Sequence, residues 1–104
     1  MQMKMMIEGE NTLKQAVIYG QGDEEIYDLV NKLKLFIEES GWNLLGGIID
    51  IPGQSDGLLE IIEKIDEIDI IVIYNKNNIV DDFNYELLFQ LEKLGKPQIK
   101  EYAP

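Results

Sequence analysis

Residues 69–74, with the sequence DIIVIY, constrain the fold of this chain more than any other segment. The run is apolar from Ile70 onward and rich in β-branched residues, so it lacks the alternation of a strand with one face in water. This pattern is typical of a central strand in a parallel sheet that is covered on both faces. Parallel neighbours need crossover connections, usually helices, so the segment predicts an α/β protein.

The rest of the chain alternates between short apolar runs and stretches with helical periodicity. Further strands are predicted at residues 15–19 (QAVIY), 44–49 (LLGGII) and 98–102 (QIKEY). Helices are predicted to begin near Asp23, Leu58 and Asp81. The order β-α-β-α-β-α-β predicts a four-stranded parallel sheet between two layers of helices, a flavodoxin-like three-layer sandwich. We assign residues 15–104 to this domain and residues 1–14 to an N-terminal extension.

The third helix has apolar residues on more than one side. At 100° per residue its predicted inward face consists of Phe83, Leu87, Leu91 and Leu94. Tyr85 and Phe89 then point away from the core, and Leu35 stands outside the apolar stripe of the first helix in the same way. Single apolar surface residues are normal, but two aromatics four residues apart more often mark a contact patch. We therefore predict Tyr85, Phe89 and Leu35 as interaction residues for a protein partner or for self-association.

The ionisable residues exclude several kinds of chemistry. The 104 residues include no cysteine and no histidine, which removes thiolate nucleophiles and the commonest general base. All nine basic residues are lysines, so no guanidinium group is present to bind phosphate through two hydrogen bonds. The net charge of −11 opposes nucleic-acid binding, and we expect no direct contact with nucleic acid and no cofactor. No apolar run approaches the roughly 20 residues of a membrane span, so we expect a cytoplasmic protein without a membrane partner.

A ligand site in such a sheet lies at the carboxyl ends of the strands. The loops at this edge are residues 20–23, 50–56 and 75–80. The turn at residues 20–22 (GQG) lacks the third glycine of a dinucleotide fingerprint. Ser55 is the only hydroxyl in these loops, and it has no histidine to activate it. The carboxylates that could hold magnesium are Asp23, Glu24, Glu25, Asp50 and Asp56, although helix capping and solvation account for them as well.

A series of framework residues is similar to a known family. The series consists of Tyr19 before the long helix, Gly41-Trp42 before the second strand, Asp50 at its end, Gly57-Leu58 at the next helix and Tyr74 after the third strand. In this order and spacing the chain resembles the N-terminal catalytic domain of resolvase/invertase-type serine recombinases, over residues 16–102. The resemblance implies a resolvase-like fold, with DNA recombination as the activity of the family.

The resemblance also implies where a catalytic site would lie. The matching positions in this chain are Gln21, Asp23, Asn77, Asn78, Val80 and Asp81. In the family, a serine at the position of Asp23 attacks a DNA phosphodiester, and arginines stabilise the phosphorane-like transition state. Here carboxylates would repel the developing negative charge, so we expect a pseudoenzyme that does not act on DNA.

Three functions follow as hypotheses. The leading one is a catalytically inactive resolvase-like domain that acts as a protein-interaction or regulatory module. The first alternative is a flavodoxin-like domain that binds magnesium or a small ligand through the acidic strand-end loops. The second alternative is a site-specific DNA recombinase, as homology alone would suggest.

Overall fold

The computed structural model of the protein describes residues 13–23, 26–95 and 97–103, so most of the predicted N-terminal extension lies outside the described residues. The elements follow the predicted order. They are β1 (Gln15–Gln21), α1 (Tyr27–Ser40), β2 (Asn43–Asp50), α2 (Asp56–Glu63), β3 (Ile70–Ile73), α3 (Asp82–Lys93) and β4 (Gln98–Glu101). None of the helices among these residues is long and apolar enough to cross a membrane.

The four strands form one parallel sheet in the order β2-β1-β3-β4, which confirms the predicted α/β class and sheet. Helix α1 packs on one face of the sheet, and α2 and α3 pack on the other. The chain therefore leaves β1 and β3 toward opposite faces. The carboxyl ends of these two neighbouring strands form the switch point at which ligand sites occur in sheets of this kind.

The central strand β3 is buried along its whole length, as the uninterrupted apolar run predicted. Ile70 and Val72 belong to the cluster beneath α1, and Ile71 and Ile73 belong to the larger cluster beneath α2 and α3. Both faces of β3 thus contribute to the core. This explains why the strand shows no alternation of polar and apolar residues.

Helix α1 buries the side predicted by its periodicity. Leu33 and Ile37 lie fully inside, four residues apart, and Leu35 on the opposite side is 58% exposed, as predicted. The helix ends at Gly41, whose φ of 80° is the left-handed conformation in which a residue with a side chain would be strained.

The predicted orientation of α3 is wrong by about one residue of rotation. Phe83 and Leu94 were expected inside, but they are 62% and 80% exposed. Leu91 is buried as predicted and Leu87 packs partly buried against the core, but the other buried positions are Asn84 and Leu88. The apolar residues of α3 surround most of its circumference, so periodicity did not select one face. The hydrogen bonds of Asn84, described below, hold that side chain in the interior.

The rotation also brings Tyr85 and Phe89 toward the core instead of away from it. Both side chains are half-buried and pack against the larger core cluster, with ring centroids 4.8 Å apart. The Nζ atom of Lys76 lies 5.4 Å from the centroid of the Phe89 ring. The expected outward orientation of these two aromatics is therefore wrong. Replacing them would remove packing as well as any contact with a partner.

The orientation of α3 can be tested by truncating one buried and one exposed side chain. We expect Leu88→Ala to lower the free energy of unfolding by about 2–5 kcal/mol, because it removes a fully buried side chain and leaves a cavity. Phe83→Ala should change it by no more than about 0.5 kcal/mol, since most of the Phe83 ring is in water. Urea denaturation of both variants measures the difference, and a larger loss in Phe83→Ala would contradict the orientation described here.

Candidate functional site

The candidate site lies at the carboxyl edge of the sheet, where polar side chains converge from three strands. Gln21 ends β1 and Asp50 ends β2, and both are buried. Asn78 belongs to a short turn after β3, and Asp81 is the residue before α3. These elements meet because the strands are parallel and end on the same side of the sheet.

Gln21 is held by two reciprocal pairs of hydrogen bonds. Its backbone N–H donates to Asn78 Oδ1 and its carbonyl accepts from Asn78 Nδ2, both at 3.1 Å. Its side-chain Nε2 donates to Asp81 Oδ2 at 2.8 Å, and its Oε1 accepts from the Asp81 backbone N–H at 3.1 Å. The buried amide therefore has both a donor and an acceptor engaged, as burial of a polar group requires.

Asp81 also fastens the loop that follows β2. The Gly53 N–H donates to Asp81 Oδ2 at 2.6 Å, so this carboxylate accepts from both the loop and Gln21. The hydrogen bond from Gly53, followed by the one from Gln21, lowers the pKa of Asp81 below its usual range. The contact joins the end of β1, the loop after β2 and the start of α3.

Asp50 occupies the position at which the start of α2 could hold an anion. Its Oδ1 accepts from the Gly57 N–H at 2.7 Å, and its Oδ2 accepts from the Leu58 N–H at 3.1 Å. These amides belong to the first turn of the helix, where the dipole favours a negative charge. The chain's own carboxylate thus fills the place that a phosphate group would take.

Tyr19 and Asn84 extend this contact to α3. The Tyr19 hydroxyl donates to Asp50 Oδ2 at 2.8 Å and accepts from Asn84 Nδ2 at 3.1 Å. The same Nδ2 donates to the Gln54 carbonyl at 2.9 Å, and Ser55 Oγ donates to Asn84 Oδ1. Burial, together with the hydrogen bond to Asp50, raises the pKa of the Tyr19 hydroxyl, which therefore stays protonated and acts as a donor.

The Gly20-Gln21-Gly22 segment was predicted as a turn, but Gly20 and Gln21 are the last residues of β1, and the amides of Gln21 and Gly22 are already hydrogen-bonded. The Gly22 N–H donates to the Asp50 carbonyl at 3.0 Å, and the N–H between the glycines belongs to Gln21 and bonds to Asn78. A nucleotide-binding turn presents its amides to phosphate oxygens. Here these two amides point into the protein's own hydrogen bonds.

Three of the residues singled out in the sequence come together and others do not. Gln21, Asn78 and Asp81 form one network, whereas Asp23 and Asn77 are exposed beside it. Asp56 is exposed in the first turn of α2, and Glu24 and Glu25 lie outside the described residues. Within the part of the chain that the structure describes, no group of three or more acidic side chains is arranged to hold a metal ion.

Sequence reasoning missed the roles of Tyr19 and Asn84. Tyr19 lies inside an apolar strand, and Asn84 interrupts a helix that is apolar on several sides. The available signal was that Asn84 stands four and seven residues before Leu88 and Leu91. A helix stripe that includes both leucines therefore includes Asn84 as well.

Comparison of the chain with protein-family models and with curated proteins found no match. The similarity to resolvase-type catalytic domains therefore remains a prediction from the residues quoted above.

The network at Asp81 makes a prediction about pH. The folded protein lowers the pKa of Asp81 below its unfolded value of about 3.9, so the ionised carboxylate stabilises the fold above that pH. This contribution disappears as the pH falls through the folded pKa. We expect the difference in unfolding free energy between the wild type and Asp81→Asn to be largest near neutral pH and to shrink in acid. Urea denaturation across the acidic range measures it, with the exposed neighbour Asp82→Asn as control. A difference that does not depend on pH would contradict the prediction.

The close contact at the start of α2 makes a second prediction. A Cβ atom on Gly57 would lie 2.2 Å from Ile48 Cγ2 and 2.8 Å from Asp50 Oδ1, so something must move to accept it. We expect Gly57→Ala to lower the unfolding free energy by about 1–3 kcal/mol, as overpacking does. Gly47→Ala is the matched control, because its Cβ would meet Ile18 Cβ at an ordinary 3.5 Å. Equal stabilities of the two variants would show that the contact is not tight.

Proposed function

We propose that this chain is a catalytically inactive, resolvase-like domain that acts as a protein-interaction or regulatory module. One observation carries the proposal. Gln21 is hydrogen-bonded to both Asn78 and Asp81, and all three stand where the resemblance implies catalytic residues. A phosphoryl-transfer site needs donors aimed at the space where the transferred phosphate sits. In this network the donors are aimed at neighbouring side chains and carbonyls instead.

The charge of this edge supports the same proposal. Asp81 and Asp50 provide carboxylates at an edge where DNA phosphates would require cations. The lysine of the adjoining turn, Lys76, lies against the Phe89 ring. With no arginine in the sequence and a net charge of −11, electrostatic attraction to a DNA backbone is not available over the chain as a whole.

Three apolar side chains are exposed on segments next to the network, which favours a protein as the partner. Ile51, Val80 and Phe83 are each more than half exposed, and we call these three residues the edge patch. They lie on neighbouring segments, because the Asp81–Gly53 hydrogen bond joins the loop after β2 to the start of α3. Aromatic and aliphatic side chains grouped on a surface are typical of protein interfaces.

The three interaction residues predicted from the sequence differ in how well they suit contact with a partner. Leu35 presents most of its side chain to solvent and stays a candidate contact on α1. Tyr85 and Phe89 pack against the core, so they are poorly suited to test binding apart from stability. The edge patch offers a cleaner test.

The first experiment asks whether the chain acts on DNA. We expect no relaxation of supercoiled plasmid and no covalent protein–DNA adduct, because the position of the family's serine holds Asp23. An active serine recombinase treated in parallel is the positive control. Nicking, relaxation or an adduct that depends on this chain would contradict the proposal and favour a recombinase.

The second experiment tests the interaction role directly. We expect chemical cross-linking in native-host cells to join this chain to a specific protein, and Val80→Ser with Phe83→Ser to reduce the cross-linked product about tenfold or more. Leu94→Ser is the matched control, because Leu94 is even more exposed but lies at the other end of α3. A product that is equally abundant in all variants, or no specific product, would contradict a role for the edge patch.

A further inference from the structure

The two edges of the sheet differ in how well they are protected. Strand β4, at one edge, has four residues and carries Lys100 and Glu101. Strand β2, at the other edge, has eight residues and no charged side chain before Asp50. Proteins commonly protect an edge strand with charge, proline or short length, since unpaired backbone groups attract another strand. Strand β2 has none of these three protections, and its one irregularity is a β-bulge at Leu45, in its amino-terminal half.

The backbone of β2 offers hydrogen-bonding groups on its outer side. The Asp50 carbonyl accepts from the Gly22 N–H and so faces β1. Because backbone groups alternate in direction along a strand, those of Gly47 and Ile49 face away from β1. No hydrogen bond to these outward groups is formed within the described residues.

The two central glycines of β2 follow a β-bulge at Leu45, where the register with β1 shifts between Leu44 and Gly46. Neither Gly46 nor Gly47 has a left-handed φ. A Cβ atom on Gly46 would meet no atom within 4 Å, in contrast to one on Gly57 at the start of α2. Glycine weakens a strand by about 0.5–1 kcal/mol relative to alanine. Glycine inside a strand often marks a bulge, which is present here, or a place where another backbone or a ligand comes close.

An open groove of about 370 Å³ lies over Gly46, between β2 and α2, and we call it the β2 groove. Val17, Ile48 and Ile61 contribute apolar walls. Glu60, Lys64 and Glu67 stand along the helical side, and Lys64 is already bridged to Glu60 at 3.7 Å. The β2 groove therefore combines apolar walls with a rim of net negative charge, formed by Glu60, Lys64 and Glu67.

We propose that the β2 edge and its groove bind an extended, basic segment of a partner protein, which joins the sheet as a fifth strand. The backbone of the segment pairs with the outward groups of Gly47 and Ile49, as in other cases of strand addition. One apolar side chain enters the space above Gly46. Lysine or arginine side chains on either side of it face Glu60 and Glu67.

Charge selects this occupant over a second copy of the chain. A second copy would bring another net charge of −11 and the same acidic rim. A basic segment gains attraction from both the rim and the whole protein. This site is separate from the edge patch, so either surface can fail its test while the other passes.

Peptide binding to the intact chain tests the proposal. The probe is a fluorescein-labelled heptapeptide of alternating lysine and valine, and its affinity is measured by fluorescence anisotropy at physiological salt. One control peptide replaces every lysine with glutamate, and another replaces the central valine with proline. We expect the basic peptide to bind and both control peptides to bind at least about tenfold more weakly, a difference of about 1.4 kcal/mol.

The decisive variant is Gly46→Val, which keeps the charge of the protein but fills the groove. We expect it to weaken binding about tenfold or more without lowering the melting temperature, because the new side chain meets open space. Glu60→Gln with Glu67→Gln tests the rim independently and should weaken binding severalfold. Phe83→Ser, in the edge patch, is the control that should bind as the wild type does.

Three results would overturn the proposal. The first is equal binding by wild type and Gly46→Val, which would mean that the peptide is held by general charge attraction. The second is equal affinity for the basic and acidic peptides. The third is dimerisation of the wild type that Gly46→Val abolishes, measured by analytical ultracentrifugation, which would make a second copy the occupant. None of these results bears on the DNA or cross-linking experiments, so the proposed function is tested separately.

Discussion

The buried carboxylate of Asp50 connects the end of β2 to the start of α2 and to β1. It accepts hydrogen bonds from two amides in the first turn of α2 and from the Tyr19 hydroxyl in the neighbouring strand. Through Tyr19 it is linked to Asn84, and therefore to α3. A buried charge is tolerated only where donors surround it, and here three donors do so. The positions of β1, β2, α2 and α3 relative to one another depend on this set of contacts.

The second network lies at the carboxyl edge of the sheet and is formed by Gln21, Asn78 and Asp81. In a sheet of this topology the same edge is where substrates and cofactors are usually bound. Here its side chains serve to join loops: Asp81 holds the loop after β2, and Asn78 continues the pairing of β1 with the segment after β3. The hydrogen bonds that hold the loops of this edge in place are therefore the same ones that support the proposed loss of catalysis.

The sequence predicted the parallel sheet, because an apolar run such as that of β3 has few other environments in which it is stable. It also predicted that Gln21 and Asn78 would share one edge, since strand ends in such a sheet must meet, whereas Asp81 was indicated only by the family resemblance. It did not predict the rotation of α3. Apolar residues on several sides of that helix left the choice to Asn84, whose partners come from β1 and from the loop after β2. Periodicity describes one element at a time. The face that α3 buries depends instead on Gln54 and Tyr19, which lie 30 and 65 positions from Asn84 in the sequence.

The capping of α2 has a consequence for local unfolding of the chain. This helix has only eight residues, and its N-cap residue Ser55 makes no capping hydrogen bond, because its hydroxyl is bonded to Asn84. A helix this short is unstable alone in water. Two of its first-turn amides, those of Gly57 and Leu58, are satisfied by the carboxylate of Asp50 at the end of β2. Helix α2 therefore depends on the end of β2 for its capping, and we expect the two elements to open together as one cooperative unit in local unfolding.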